Sequence, residues 1–210
     1  EDEWHTKFSL VSNRLLANLG RQKSIFARCC TIQTVSTEIA KEFLNENHIL
    51  GYATSRYKYG LFTKKGIYDI KGDTLVAVAT FSAPRPINRG DRVVNSYEWV
   101  RYASLANYRI VGGMGKLMNC FIDSVKPDEI MSYADKDWGT GDVYRKLGFD
   151  YQCDTPPMEF YVHKVFLNRI SKKKLRNDPK YDTPEFDAND YYVLRNQGNL
   201  KFLWISPLIK

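Results

Sequence analysis

The sequence predicts a mixed α/β fold: a mostly antiparallel sheet with one central parallel strand pair, splayed around a glycine turn and the helix that the turn opens. Three observations predict it. Apolar runs of strand composition recur, among them "LVAVATF" at 75–81 and "EIMSYAD" at 129–135. Between the strand-like "VVNSYEWVRYASL" (93–105) and "EIMSYAD" stands "RIVGGMGKLM" (109–118), where Gly112, Gly113 and Gly115 run directly into apolar residues of helical spacing. A strand, helix, strand order joins two parallel strands, whereas the short connections elsewhere favour antiparallel neighbours.

In chain order, a helix is expected over about 6–19, then a strand at 27–33, where β-branched and apolar residues cluster. "STEIAKEFLNENH" (36–48) reads as a helix: Ser36 suits the N-cap, Glu38 the first turn, and Ile39, Ala40, Phe43 and Leu44 share one face. Residues 57–85 form a meander of two or three strands with glycine turns. The strand at 93–105 precedes a helix at about 113–125, whose buried stripe is Leu117, Met118, Phe121, Ile122 and Val125. A strand at 129–135, a short helix in "GDVYRKLGF" (141–149) and a strand at 159–163 follow. Residues 1–162 are expected to form one domain. Residues 163–210 read as a basic C-terminal extension packing on it, with two short strands and a turn at Gln197 to Asn199.

A chain of 210 residues with 43% hydrophobic and 14% aromatic content can bury a full core, which excludes disorder. The longest apolar run, near Leu75 to Ala79, falls far short of the roughly 20 residues that span a bilayer, so no membrane partner is expected. Cys29, Cys30, Cys120 and Cys153 lack C-x-x-C spacing, which suggests neither a zinc knuckle nor a disulfide framework, and points to a reducing, cytoplasmic setting. The chain opens on Glu-Asp-Glu-Trp without an initiator Met, so an upstream fused domain is expected. The 31 basic and 24 acidic residues leave a net charge of +7. Much of the excess lies in the tail, where a polyanion would be met.

A helix N-terminus carries unpaired N–H groups and about half a positive charge, and binds phosphate where side chains leave room. Val111, Gly112, Gly113, Met114, Gly115 and Lys116 are therefore candidates for holding a phosphorylated donor; a tight strand-to-helix turn is the competing explanation.

"YEWVRYASL", "YRIVGGMGKLM", "EIMSYAD" and "VYRKLGF" together resemble the core of the GCN5-related N-acetyltransferases, over about residues 75 to 162. The resemblance implies acetyl-CoA or another acyl-CoA as donor, its pyrophosphate on the glycine turn, and Tyr144 as the acid that protonates the leaving thiolate. Arg109 stands one residue further from Gly113-Met114-Gly115 than in that family's motif, and Asp137 sits where the family often has asparagine. A narrower resemblance, over most of the chain, is to phage Mom-type DNA-modification proteins and to a module found with phage homing endonucleases. It rests on His48 followed by Gly51, on Glu98 and Arg101 three apart on one strand, and on Ala134-Asp135 ahead of Tyr144. It implies a phage-encoded enzyme altering the N6 amine of adenine.

Acyl transfer to an amine needs a positioned donor, a proton acceptor and an acid for the leaving group. Glu98 is a candidate acceptor, with a solvated or Arg101-paired carboxylate as the alternative. Regular alternation puts residues 98 and 101 on opposite faces, so a shared site requires a bulge. His48 reads as a base, a metal ligand or a cation capping its helix. Asp135 could position the acceptor amine or be buried in an ion pair, and Tyr144 could be a core tyrosine. No cluster with metal-ligand spacing appears.

Lys172, Lys173, Lys174 and Arg176, with Tyr181, Tyr191 and Tyr192 nearby, could track nucleic-acid phosphates while aromatics stack on an unpaired base. Arg85 and Arg101 would line the pocket of an extruded base. DNA-base modification is thus the expected function, His48, Glu98, Asp135 and Tyr144 surrounding the acceptor. An acetyl-CoA-dependent N-acetyltransferase for a small amine or protein is the first alternative, and a non-catalytic DNA-binding module of a nuclease the second.

Overall fold

The computed structural model describes residues 2–177 and 188–209. In order these form α1 (Asp2–Thr6), α2 (Phe8–Asn18), β1 (Lys23–Phe26), β2 (Cys30–Thr34), α3 (Thr37–Asn47), β3 (Tyr57–Thr63), β4 (Leu75–Phe81), β5 (Arg85–Arg89), β6 (Arg92–Ser104), β7 (Tyr108–Val111), α4 (Gly113–Val125), β8 (Glu129–Asp135), α5 (Asp142–Lys146), β9 (Asp150–Asp154), β10 (Glu159–His163), β11 (Arg169–Ser171), α6 (Lys172–Asn177), β12 (Tyr191–Arg195) and β13 (Asn199–Ile205). The main sheet runs β2-β3-β4-β6-β8-β13-β9, with β5 folded back on β6 as a hairpin. Only β6 and β8 are parallel in it, and they pair over just three residues each, Ser96–Glu98 with Glu129–Met131. This is the expected parallel pair across the glycine-headed helix. A second parallel pair, β1 with β7, was not foreseen.

Helices cover both faces. On one, the fully buried Phe121 of α4 stacks on Phe81 with ring centroids 4.0 Å apart, and Tyr57, Tyr59 and Tyr97 meet it edge-on. On the other, Ala40, Phe43 and Leu44 of α3, three of the four residues expected on its apolar face, pack against Val78 and Ala103. Ser36 caps α3 as expected, its hydroxyl accepting the Ile39 N–H at 3.3 Å.

The bulge required by the sequence argument is present. Thr80 faces Arg101 and Phe81 faces Trp99, which leaves Val100 as the extra residue of β6. The alternation therefore flips: Trp99 and Tyr102 both turn to the α4 face, while Ala103 turns to α3. Glu98 and Arg101 end on the same face.

Some expectations are corrected. The helix expected over about 6–19 is α2, but a short α1 precedes it, set off at Lys7, whose backbone leaves the helical region (φ −139°) and whose ammonium donates to the Ile49 carbonyl at 2.7 Å. The strand at 27–33 starts instead with a short turn of 3-10 helix at 27–29, which exposes Cys29 and buries Cys30. The C-terminal strands do not pair with each other: β12 joins β10, and β13 inserts between β8 and β9. The C-terminal segment packs on the preceding one by entering its main sheet. The reason is burial, since β13 fills the sheet interior with Phe202 and Leu203.

Glu129, at the start of β8, is only 2% exposed and is held by Arg89 of the hairpin in a two-pronged pair, Nε–Oε2 3.1 Å and NH2–Oε1 2.9 Å. Arg89→Gln leaves that carboxylate buried without a counter-charge and is expected to cost about 3 kcal/mol, measured from the urea midpoint. Glu129→Gln should cost less, because the half-exposed Arg89 can be hydrated.

Candidate active site

The first half of the site is the mouth of α4. Its N-cap, Gly112, lies in the left-handed region at φ 77° and offers no side-chain cap. Gly113 is fixed by packing: a Cβ there would fall 2.8 Å from the Tyr102 hydroxyl and 2.9 Å from Ile110 Cγ2. At Gly115 it would fall 3.2 Å from Leu147 of the loop after α5. The first bond of the helix is Lys116 N–H to the Gly112 carbonyl at 3.0 Å. The N–H groups of Gly113, Met114 and Gly115 precede it and have no intrahelical partner. A groove of about 1030 Å³ runs from this mouth along α4, walled by Phe26, Arg28, Ile32, Val111 and Asn119. Met114 turns its side chain into the core. The Lys116 side chain departs from its expected phosphate-binding role: its ammonium donates to the carbonyls of Ala27 and Cys30, lashing the 3-10 turn to α4.

The second half is a fork in the sheet. Past Glu98 and Met131, β6 and β8 no longer pair. Tyr144 of α5 reaches this opening. Its hydroxyl lies 2.9 Å from Ser132 Oγ, which donates to it or to the Trp99 carbonyl at 3.2 Å. The phenol ring stacks on Phe202 at 5.2 Å and meets Trp99 and Phe149 edge-on. Burial pushes its pKa above the ordinary tyrosine value, against the lowering effect of Ser132, so it carries its proton at neutral pH. Tyr144 is a packed aromatic whose protonated hydroxyl lies at the strand fork.

The third group lies on the α3 face. Arg101 Nε donates to the Gly51 carbonyl at 3.1 Å and NH1 to the Val100 carbonyl at 2.8 Å. Glu98 approaches Arg85 at 3.5 Å, bringing that expected residue into the site. His48 follows α3, and its Nδ1 accepts the Leu50 N–H at 3.1 Å. Burial, followed by the charges of Arg101, Arg14 and Lys7, holds the imidazole down to about 3. It is neither a cation capping the helix nor an effective base at neutral pH. Among the described residues no group of His, Cys, Asp and Glu could hold a metal, so the metal-ligand reading of His48 finds no partners. Asp135, at the end of β8, accepts the Asp137 N–H at 3.0 Å and lies within electrostatic reach of Arg14, itself over the Trp138 ring at 4.5 Å. The structure thus gathers His48, Glu98 and Arg101 on one face, with Arg14 linking them electrostatically to Asp135.

The tail does not join them. Lys172 is bound to Glu159, which Arg195 also holds at 2.7 Å, and Lys174 stands on α6. The side chains of Lys173 and Arg176, and the whole of Tyr181, lie outside the described residues. Sequence reasoning missed Arg14, Trp99, Trp138 and Ser132. Only Ser132 left a signal, as a polar residue in phase with the buried Ile130 of "EIMSYAD".

No family model matches the chain, and no curated protein matches it by sequence. Its structure is similar to a Bacillus subtilis acetyltransferase in complex with CoA at 15% identity, covering 84% of this chain and 99% of that one, with a TM-score of 0.46. It is also similar to Arabidopsis thaliana NAA60 in complex with acetyl-CoA (7% identity, 84% and 99% covered, TM-score 0.49). A third is the Vibrio cholerae spermidine/spermine N-acetyltransferase SpeG in complex with manganese ions (10%, 85% and 94%, 0.48). The narrower likeness to Mom-type proteins is not shown by these comparisons.

Two outcomes are expected. Gly113→Ala should destabilise the protein by about 2 kcal/mol, read from denaturant midpoints, because the Tyr102 ring or Ile110 must move. His48 is held near 3 while the unfolded chain titrates near 6.5. The unfolded state binds the extra proton between those values, so this contribution to stability is present above pH 6.5 and lost as pH falls towards 3. His48→Gln should therefore reduce the fall in Tm between neutral pH and pH 5 by roughly 3 °C.

Proposed function

We propose that the protein is an acyl-CoA-dependent N-acyltransferase. The observation that carries the reading is the fork: the bulge at Val100 ends the β6–β8 pairing beside Ser132 and Tyr144, opening unpaired strand edges around a protonated phenol. The residues present fit such a donor. Three unpartnered N–H groups at the α4 mouth suit a diphosphate, the neighbouring glycines keep side chains away, and the groove along α4 has room and apolar walls for the rest. Bound there, an acyl-CoA supplies the activated thioester.

The chain's own residues supply the remainder. Gly113, Met114 and Gly115 hold the diphosphate through their backbone, and the free edge of β6 beyond the bulge orients the donor. Tyr144 is the acid: when Ser132 donates to its oxygen, the phenolic proton is released for a leaving thiolate. Glu98, on the opposite face of the fork and 25% exposed, is the acceptor for the amine proton, directly or through water. Modification of an adenine amine is a second reading, carried by the convergence of His48, Glu98 and Arg101 that the Mom likeness implied.

Titration calorimetry should find saturable binding of acetyl-CoA, and thiol release should appear with an amine present. Tyr144→Phe should lower kcat by about 100-fold with the Kd for acetyl-CoA changed by less than about threefold. A variant that keeps full turnover removes Tyr144 from the mechanism. Nucleoside mass spectrometry of DNA from expressing cells separates the two acceptor readings: unmodified adenine alongside acylated small amines excludes the second.

A further inference from the structure

We propose that the acceptor is an amine bearing an anionic group, a carboxylate or phosphate, and that Arg101 anchors that group. The inference rests on the transferase reading and names its substrate class. Arg101 is half-buried, and its guanidinium is fixed by two backbone carbonyls, Gly51 through Nε and Val100 through NH1. That geometry leaves the NH2 arm unassigned, and no carboxylate among the described residues lies within ion-pair distance of it. Its nearest acid, Glu98, is drawn instead to Arg85 at 3.5 Å. A guanidinium withdrawn from water and answered only by carbonyls is costly unless a ligand supplies the counter-charge.

The neighbourhood adds cations. Lys7 donates to a backbone carbonyl, and Arg14 lies over Trp138; neither makes an ion pair among the described residues. The acids that act on Arg14 from a distance each have another partner as well. Asp135 accepts the Asp137 N–H, Asp137 accepts the Gln197 N–H at 3.1 Å, and Glu3 meets Arg169 at 3.4 Å. A cavity of about 690 Å³ opens beside His48 and Gly51, with Lys7 in its wall and Glu46 also lining it. Directly across from Arg101 in the β4–β6 register, the Thr80 hydroxyl is fully buried and has no hydrogen-bond partner. Arg101 lies three residues past Glu98, where the β6–β8 pairing ends, and the bulge puts it on the same face as Glu98, so an anion on Arg101 would hold an attached amine close to that carboxylate at the fork.

The test compares matched acceptors, O-phosphoethanolamine against ethanolamine and β-alanine against propylamine, with acetyl-CoA as donor. At least one anionic member should exceed its neutral partner in kcat/KM by about tenfold or more. Arg101→Gln should abolish that advantage, bringing the ratio of anionic to neutral kcat/KM to about one, while the Kd for acetyl-CoA moves by less than about threefold. Equal turnover of both members, or an advantage that survives Arg101→Gln, overturns the proposal. Whether the phosphate or the carboxylate pair responds identifies the group. A second measurement is independent of turnover. Inorganic phosphate, against chloride at equal ionic strength, should raise the Tm of the wild type by clearly more than that of Arg101→Gln, any rise left in the variant belonging to the α4 mouth. Absence of stabilisation in the wild type counts against the anchor even if the transferase reading stands. Extra stabilisation that Arg101→Gln removes, without acetyl-CoA binding, retains the anion site and overturns the transferase reading alone.

Discussion

One extra residue in one strand organises this molecule. Val100 has no partner on β4, and from that point every side chain of β6 changes face. Without the bulge, Arg101 would join Trp99 against α4, where the core is aromatic and dry, and its charge would have no carbonyls to meet. With it, Trp99 and Tyr102 both fill the α4 side, and Arg101 reaches the Gly51 carbonyl on the α3 side. Just ahead of the bulge β6 leaves β8 after only three paired residues, and the sheet is left open in its middle. An interior strand cannot leave N–H and C=O groups unpaired without compensation. Ser132 supplies part of it by reaching the Trp99 carbonyl, and the remaining groups are those a bound ligand can use.

The glycine turn shows how structural and binding roles coincide. Each glycine has a reason that needs no ligand: left-handed backbone at Gly112, contact with Tyr102 and Ile110 at Gly113, and contact with Leu147 at Gly115. Close packing on the inner side of the turn is also what strips its outer side of side chains. The two explanations that compete in the sequence are therefore one arrangement seen from two sides. Lys116 belongs to the inner side, since its ammonium is consumed by the carbonyls of Ala27 and Cys30 where the 3-10 turn meets β2.

The sequence disclosed what periodicity and local chemistry control. The Ser36 cap, the α3 and α4 apolar faces, the strand at 129–135 and the parallel pair follow from spacing alone. Even the bulge was derivable, because Glu98 and Arg101 can share a site in no other way. Pairing partners were not legible. "DYYVLRNQGNLKF" reads as two short strands with a turn, and β12 and β13 go to different sheets, since the choice depends on which distant strand offers an open edge. Site residues that arrive from distant elements were equally hidden. Arg14 is one cation on an amphipathic helix until the fold carries it over Trp138 and into reach of His48 and Asp135.

Charge makes the same point more sharply. The sequence concentrates its basic excess in the tail, which directs attention to a polyanion there. In the fold several tail cations are answered: Lys172 and Arg195 share Glu159, and Arg169 holds Asp2 and meets Glu3. Arg101, Arg14 and Lys7, scattered over almost half the chain, converge instead on one imidazole without an ion partner among the described residues. Net charge reports what a segment carries, whereas binding depends on what the fold leaves uncompensated. By that measure the electrostatic demand of this protein lies beside the fork and not at its C-terminus, and Thr80, buried and unpartnered across from Arg101, marks the same place from the neutral side.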